Sequence, residues 1–252
     1  MLIAVGLFAL FQNCSKVAFS TEAKLKGVNA DGNPEIGDPE YPETNSCYKV
    51  FNDVQTPVEL LFVVDVSSSN KSTDPDQSVR ADSINRFYQA FKSKVNFSWN
   101  VISFAGSAAT VRAQESTANS VENFISWLYS YAHDVKGTPY DAALNKTIEM
   151  ISGDMNKSAY KKYVVVFLSD GKPSGGESDA YWSSEAAKIA ALVPGRVSFN
   201  TIYYGPIDAG ASGLLRSMAQ AGKGNFLDTN SNANGKVFEI ADVARVPGEI
   251  CE

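Results

Sequence analysis

The chain has 252 residues, of which 44 % are apolar and 20 % charged, and a formal net charge of −6. This is the balance of an ordinary globular protein able to bury a sizeable core, and it excludes disorder over most of the length. An acidic chain with no cluster of lysine or arginine has no electrostatic footprint for nucleic acid.

The first 14 residues, MLIAVGLFALFQNC, are an apolar run about as long as the hydrophobic part of a secretion signal and short for a bilayer span. Cys14 closes the run and Ser15 follows it, so residues 1–14 resemble a bacterial lipoprotein signal. The resemblance implies lipidation at Cys14, export, and contact with a membrane through that lipid alone, with an outer-membrane or cell-surface location. A buried N-terminal helix is the alternative. Residues 15–56, with GVNADGNPEIGDPEYPETNS and no apolar period, read as a flexible tether. The two other cysteines, Cys47 and Cys251, allow one intramolecular disulfide in an oxidising compartment; two free thiols are the alternative.

From Pro57 the pattern alternates. VELLFVVD is a continuous apolar run ending in an acid, which predicts a central strand covered on both faces. DPDQSVRADSINRFYQAFKSK predicts a helix, with Asp74 as cap, Pro75 in the first turn and an apolar stripe of Val79, Ile84, Phe87 and Phe91. FSWNVISFAG is a second strand, followed by helices at SVENFISWLYSYA and PYDAALNKTIEMI. KKYVVVFLSDG is a third strand, SSEAAKIAALV a helix, RVSFNTIYYG a fourth strand and ASGLLRSMAQAG a helix. The short strand GNFLD precedes a final helix near KVFEIADVA, and residues 247–252 form a tail carrying Cys251. Strands alternating with helices predict an α/β, doubly wound, mostly parallel sheet over residues 57–246.

In such sheets ligands gather outside the carboxyl ends of the strands. Asp65 and Asp170 each end a predicted strand, so both belong to that rim. Asp65, Ser67 and Ser69 alternate, which in an extended exit aims their side chains to one side and Ser68 away. Carboxylates and hydroxyls suit a hard divalent cation such as Mg2+, with Mn2+ or Ca2+ as alternatives; zinc would favour His and Cys, which are scarce here.

DVSSS matches the D-x-S-x-S signature of the metal-ion-dependent adhesion site of von Willebrand factor type A domains, the fold of integrin inserted domains. KGTPYDAAL and VFLSDGKPS supply, in the family's order, Thr138 before a helix and Asp170 after a strand, and the resemblance extends over residues 57–244. It implies that Ser67 and Ser69 bind the metal directly, and that Thr138, Asp65 and Asp170 do so directly or through water. It further implies that the ion captures a carboxylate of a protein or matrix ligand, and that the last helix slides as the site rearranges, a motion a Cys47–Cys251 disulfide would restrain. Taken singly, the three segments also read as a polar turn, a helix cap completed by Asp141, and an Asp-Gly turn.

Selectivity is expected from the rim segments NKSTDPD, AGSAAT and KPSGGESDAYW. Tyr140, Tyr181 and Trp182 are candidate interface anchors, with ordinary packing as the alternative, and Lys172 is a candidate attractor of an acidic ligand, with a solvated surface lysine as its alternative. The only histidine, His133, falls at a helix end and reads as solvated. No G-x-S-x-G elbow or P-loop is present, and Ser67 stands where a D-x-D phosphatase needs an acid. The chain therefore reads as a binding module of the cell envelope and not an enzyme; an envelope scaffold with a structural metal is the alternative.

Overall fold

A computed structural model describes residues 48–49, 54–114, 120–155, 160–231 and 237–248. Cys14, Cys47, Cys251 and the segment read as a signal lie outside the described residues, as does nearly all of the segment read as a tether.

Strand β2 (Val58–Asp65) is buried along its whole length, and its alternating side chains divide between two half-cores. Val58, Leu60, Phe62 and Val64 face one side of the sheet, Leu61 and Val63 the other. Strand β5 (Lys162–Ser169) divides in the same way, with Val164, Val166 and Leu168 opposite Tyr163, Val165 and Phe167. A strand covered on both faces has no polar side to show, which is why these segments are continuous apolar runs.

These two strands are the centre of a six-stranded sheet. Strand β1 (Tyr48–Lys49) stands outside it, while β3 (Phe97–Ala105), β4 (Ala108–Ala113), β6 (Val197–Tyr203) and β7 (Lys223–Asp228) complete the order β4-β3-β2-β5-β6-β7. All neighbours pair in parallel except β3 and β4. Helices α2 (Ser78–Phe91) and α3 (Ser120–Ser130) cover one face. Helices α4 (Tyr140–Met155), α5 (Asp179–Leu192) and α6 (Ala209–Ala221) cover the other. Aromatic rings fill both layers: Phe62 meets Phe87 edge-on at 6.0 Å between centroids, and Phe104 stacks on Phe167 at 5.1 Å. Truncating a ring buried this completely costs about 3–5 kcal/mol. The chain runs outward from β2 to β4, returns to β5 and then proceeds the other way, so the strand order reverses between β2 and β5. The crevice at their carboxyl ends is the topological switch point, where such sheets place ligands.

The elements differ from expectation in several places. Helix α2 starts at Ser78 because Gln77 takes a left-handed φ of 58°, yet Asp74 still caps it, accepting from Val79 N at 2.9 Å and Arg80 N at 3.3 Å. Only the turn of AGSAAT, Gly106 and Ser107, lies on the rim, where the Gly106 N–H donates to Gly137 O at 2.9 Å beside Thr138, and Ala108 to Thr110 already belong to β4. Gly106 turns the chain at φ 68°, and β4 pairs antiparallel with β3 as an edge strand of small and polar residues that has no apolar run to announce it. Helix α5 begins four residues before SSEAAKIAALV, at Asp179, where the Ser178 side chain accepts from Tyr181 N. The last helix, α7 (Ile240–Val243), is a single turn, and β8 (Val246–Pro247) after it pairs antiparallel with β1, inside the segment read as tether. Val54, in that same segment, is buried in the core.

At the pole opposite the switch point, Glu59 is buried with Lys161 Nζ at 3.2 Å, and Lys161 also reaches Asp154 at 3.1 Å. Burial, then the Asp154 charge, push the Glu59 carboxyl from an ordinary 4.5 to about 7, against the pull of Lys161. A carboxyl raised on folding takes up a proton, so its contribution is fully present below about 4.5 and is lost as pH rises through about 7. Urea unfolding at pH 5 and pH 8 is expected to show a larger fall in stability for the native chain than for Glu59→Gln, with a slope difference of at most about 1.4 kcal/mol per pH unit.

Candidate functional site

Register brings the acids together. Val64 pairs with Leu168, so Asp65 at the end of β2 and Ser169 at the end of β5 stand abreast, with Asp170 one residue on. Asp65 is 0 % exposed. Its Oδ1 accepts from Ser67 N at 2.9 Å, an Asx turn that pulls the chain off the strand, and its Oδ2 accepts from Ser169 Oγ at 2.7 Å.

The turn, not an extended exit, makes the serines converge. Ser69 has helical dihedrals and caps the single-turn helix α1 (Asn70–Thr73), and this curl leaves Ser67 Oγ and Ser69 Oγ 3.0 Å apart. Ser69 Oγ donates to Asp170 Oδ1 at 2.8 Å, and Thr138 Oγ1 lies 3.4 Å from Ser67 Oγ. The five predicted side chains therefore meet at one place. The Ser68 side chain forms none of these bonds; its backbone N–H donates to Val135 O at 2.9 Å.

Three further contacts hold this ring. Ser174 clamps Thr138 from both sides: its hydroxyl accepts from Thr138 N at 2.8 Å, and its own N–H donates to Thr138 O at 2.9 Å. Thr73 Oγ1 donates to Asp170 Oδ2 at 2.5 Å. Gly205, after β6, lies against the Asp170 backbone so closely that a Cβ there would fall 2.0 Å from Asp170 O. Sequence reasoning missed Ser169 and Gly205, and it placed Thr73 and Ser174 on the rim only as members of NKSTDPD and KPSGGESDAYW, without a role of their own. A serine directly before the strand-end acid, in LSD, was a signal for Ser169; Gly205 is brought in by a loop distant in the chain.

The donor set is oxygen only. Six oxygens about 2.1 Å from Mg2+ stand about 3.0 Å from their neighbours, and the hydroxyl and carboxylate separations of 2.8, 3.0 and 3.4 Å are of that size. Among the described residues no group of three or more His, Cys, Asp or Glu side chains could hold a metal, so a softer ion has no comparable cage. Burial, then the Asp170 charge, push the Asp65 carboxyl up to about 6, against its bonds from Ser67 and Ser169. A cation placed among these oxygens would favour the ionised form.

A second network lies beneath. Arg80 is fully buried and donates through Nε to Asp74 Oδ2 at 2.7 Å, through Nη1 to Asp65 O at 2.6 Å and through Nη2 to His133 Nε2 at 3.0 Å. A guanidinium only donates, so His133 carries its proton on Nδ1, which donates to Val66 O at 3.1 Å. Tyr204 OH completes the layer, donating to Asn70 Oδ1 at 2.9 Å.

Three expectations are corrected. His133 is buried and not solvated, because the chain turns back under the rim after α3; burial and then Arg80 lower its pKa, against the bond to Val66 O, which raises it. Tyr140 and Trp182, at 0 % and 1 % exposed, present no face to a ligand. They open helices whose first turns pack onto the sheet: Tyr140 meets Phe167 edge-on at 4.9 Å and Trp182 at 5.6 Å, and its hydroxyl donates to Gly171 O at 2.8 Å. Tyr181 is exposed, with its hydroxyl 3.0 Å from Asp141 Oδ1, and Lys172 is exposed on the rim, its amine beside Gly210 at the start of α6.

Replacing Arg80 with Met fills the volume but strands the buried Asp74 carboxylate. Arg80→Met is expected to lower stability by about 3–5 kcal/mol in urea unfolding, far more than a surface arginine would.

Residues 59–242 match the family model described as the von Willebrand factor type A domain. No individual curated protein matches the chain significantly by sequence. Similar solved structures include proximal thread matrix protein 1 of the mussel byssus with a zinc-occupied metal-ion-dependent adhesion site (17 % identity, 76 % of this chain and 47 % of that one, TM-score 0.50). Others are the pilus adhesin SpaC of Lactobacillus rhamnosus GG (16 %, 70 % and 29 %, TM-score 0.52) and the type V pili tip protein Mfa5 of Porphyromonas gingivalis (12 %, 72 % and 49 %, TM-score 0.50). The chain spans less than half the length of each of these three, and at such identities the likeness is one of fold.

Proposed function

The chain belongs to the von Willebrand factor type A domain family, and on that premise we propose that it is a recognition module of the cell envelope that captures a carboxylate of a protein or matrix partner through a divalent ion, Mg2+ in the first place. The observation that carries this reading is the ring of three hydroxyls and two carboxylates at the switch point. Ser67 and Ser69 hold the ion directly, with Thr138, Asp65 and Asp170 completing the set directly or through water. Bound there, the ion supplies an electrophilic position for a partner's carboxylate. Hydroxyls are neutral, so two acids leave more of the ion's charge uncancelled than a cage of four carboxylates would. Ser69 is exposed, so the ring opens to the outside of the rim.

A binding role is favoured over catalysis by His133, the only histidine, which is committed to Arg80 and Val66 and is not available as a base. The envelope location rests on the lipoprotein-like residues 1–14 and on the fold shared with a pilus adhesin and a pilus tip protein. A second reading, a scaffold with a structural metal, is favoured by the complete burial of Asp65.

Asp170→Ala separates the two. Pull-down of envelope and target-cell proteins in Mg2+ against chelator should lose its partner in chelator and in Asp170→Ala, with a thermal midpoint within a few degrees of the native chain; a large loss of midpoint with capture retained would support the scaffold. Because protons compete for Asp65 below about pH 6, Mg2+ affinity measured calorimetrically should be flat above pH 7 and fall with pH below 6, by up to about tenfold per unit.

Cys14 is proposed as the lipidated residue and Cys47–Cys251 as a disulfide. Support for the latter is the antiparallel pairing of Tyr48–Lys49 with Val246–Pro247, strands that lie one and four residues from the two cysteines. Intact-mass analysis of membrane-extracted protein, before and after reduction, should show a lipid adduct and a gain of two hydrogens.

A further inference from the structure

Thr73 is not among the five proposed ion-holding groups, yet it bonds directly to one of them. Its side chain closes α1 and is half-buried, and its hydroxyl stands 2.5 Å from Asp170 Oδ2 and 3.4 Å from Ser69 O. A hydroxyl has one proton, and the shorter, charge-assisted contact takes it. Ser69 Oγ already donates to the other oxygen of Asp170 at 2.8 Å. Both oxygens of this carboxylate are therefore held by hydroxyls from one curl of chain, Ser69 to Thr73. The two hydroxyls differ in consequence. Ser69 can offer a lone pair to an ion while still donating its proton to Oδ1. Thr73 lies on the far oxygen and restrains the carboxylate from swinging.

We propose that Thr73 is a positioning residue that keeps Asp170 as the hydrogen-bond acceptor of Ser69 and out of direct ligation, so that the charge of the bound ion stays available to a partner's carboxylate. This rests on the reading of the rim as a divalent-ion site. The consequence is a trade between two affinities. Without the Thr73 hydroxyl, Oδ2 is free to turn inward as an anionic ligand; the ion is then held more tightly and attracts an external carboxylate less. A hydroxyl with a merely structural role would weaken both when removed.

The test uses the full chain and the variants Thr73→Val, Thr73→Ala and Thr73→Ser. Mn2+ is titrated alone, with free ion read by electron paramagnetic resonance. Acetate is then titrated into the Mn2+-loaded protein, with water-proton relaxation as the readout. Thr73→Val and Thr73→Ala are expected to bind Mn2+ about tenfold more tightly and acetate about tenfold more weakly, the size of effect that groups behind the ligands exert, with Thr73→Ser like the native chain. Unchanged affinities, or both affinities falling together, would overturn the role of Thr73 while leaving the ion site standing. A native chain that binds no Mn2+ would refute the ion site itself, and this inference with it.

Discussion

Two carboxyl groups, Asp65 and Asp170, stand buried side by side at the ends of neighbouring central strands, and much of the surrounding chain is arranged to make that tolerable. A buried carboxyl needs donors, and two of them need a cation or a shared set of hydrogen bonds. Asp65 takes the Ser67 N–H and the Ser169 hydroxyl, and Asp170 takes the hydroxyls of Ser69 and Thr73. The carboxyl of Asp65 pushed up to about 6 is what remains unrelieved, and it is the strain that the proposed divalent ion would answer. The proposed affinity for a cation would thus follow from how the core of the sheet ends.

Rigidity comes from the layer below. Arg80 joins the end of β2 through Asp65 O, the turn before α2 through Asp74, and the segment after α3 through His133. Three stretches of chain that carry or flank rim residues are fastened to one guanidinium, whose planar fork serves several acceptors at fixed angles. Tyr140, first read as a surface anchor, belongs to the same support from the opposite face, since its hydroxyl fixes Gly171 next to Asp170. The proposed recognition at the exposed rim would then depend on oxygens whose positions are set by buried groups.

The chain determined by itself those features that depend on local pattern. Continuous apolar runs at 58–65 and 162–169, short and rich in β-branched residues, point to strands covered twice, and their alternation with helix periods points to crossovers and so to a parallel sheet. Strand-end acids and hydroxyls in the order Asp65, Ser67, Ser69, Thr138 and Asp170 were legible because each sits where one of those patterns stops. Only the tertiary structure decided which groups stand behind them. Thr73 and Ser174 reach Asp170 and Thr138 across 97 and 36 residues, His133 reaches Arg80 across 53, and Arg80 reaches Asp65 across 15, and burial of a charge or a ring depends on what another segment brings to it. The same holds for the curl at Ser67–Ser69: alternation foretold that the side chains share a side, whereas an Asx turn on Asp65 brings them together, because its carboxylate oxygen offers the Ser67 N–H an alternative to the extended backbone.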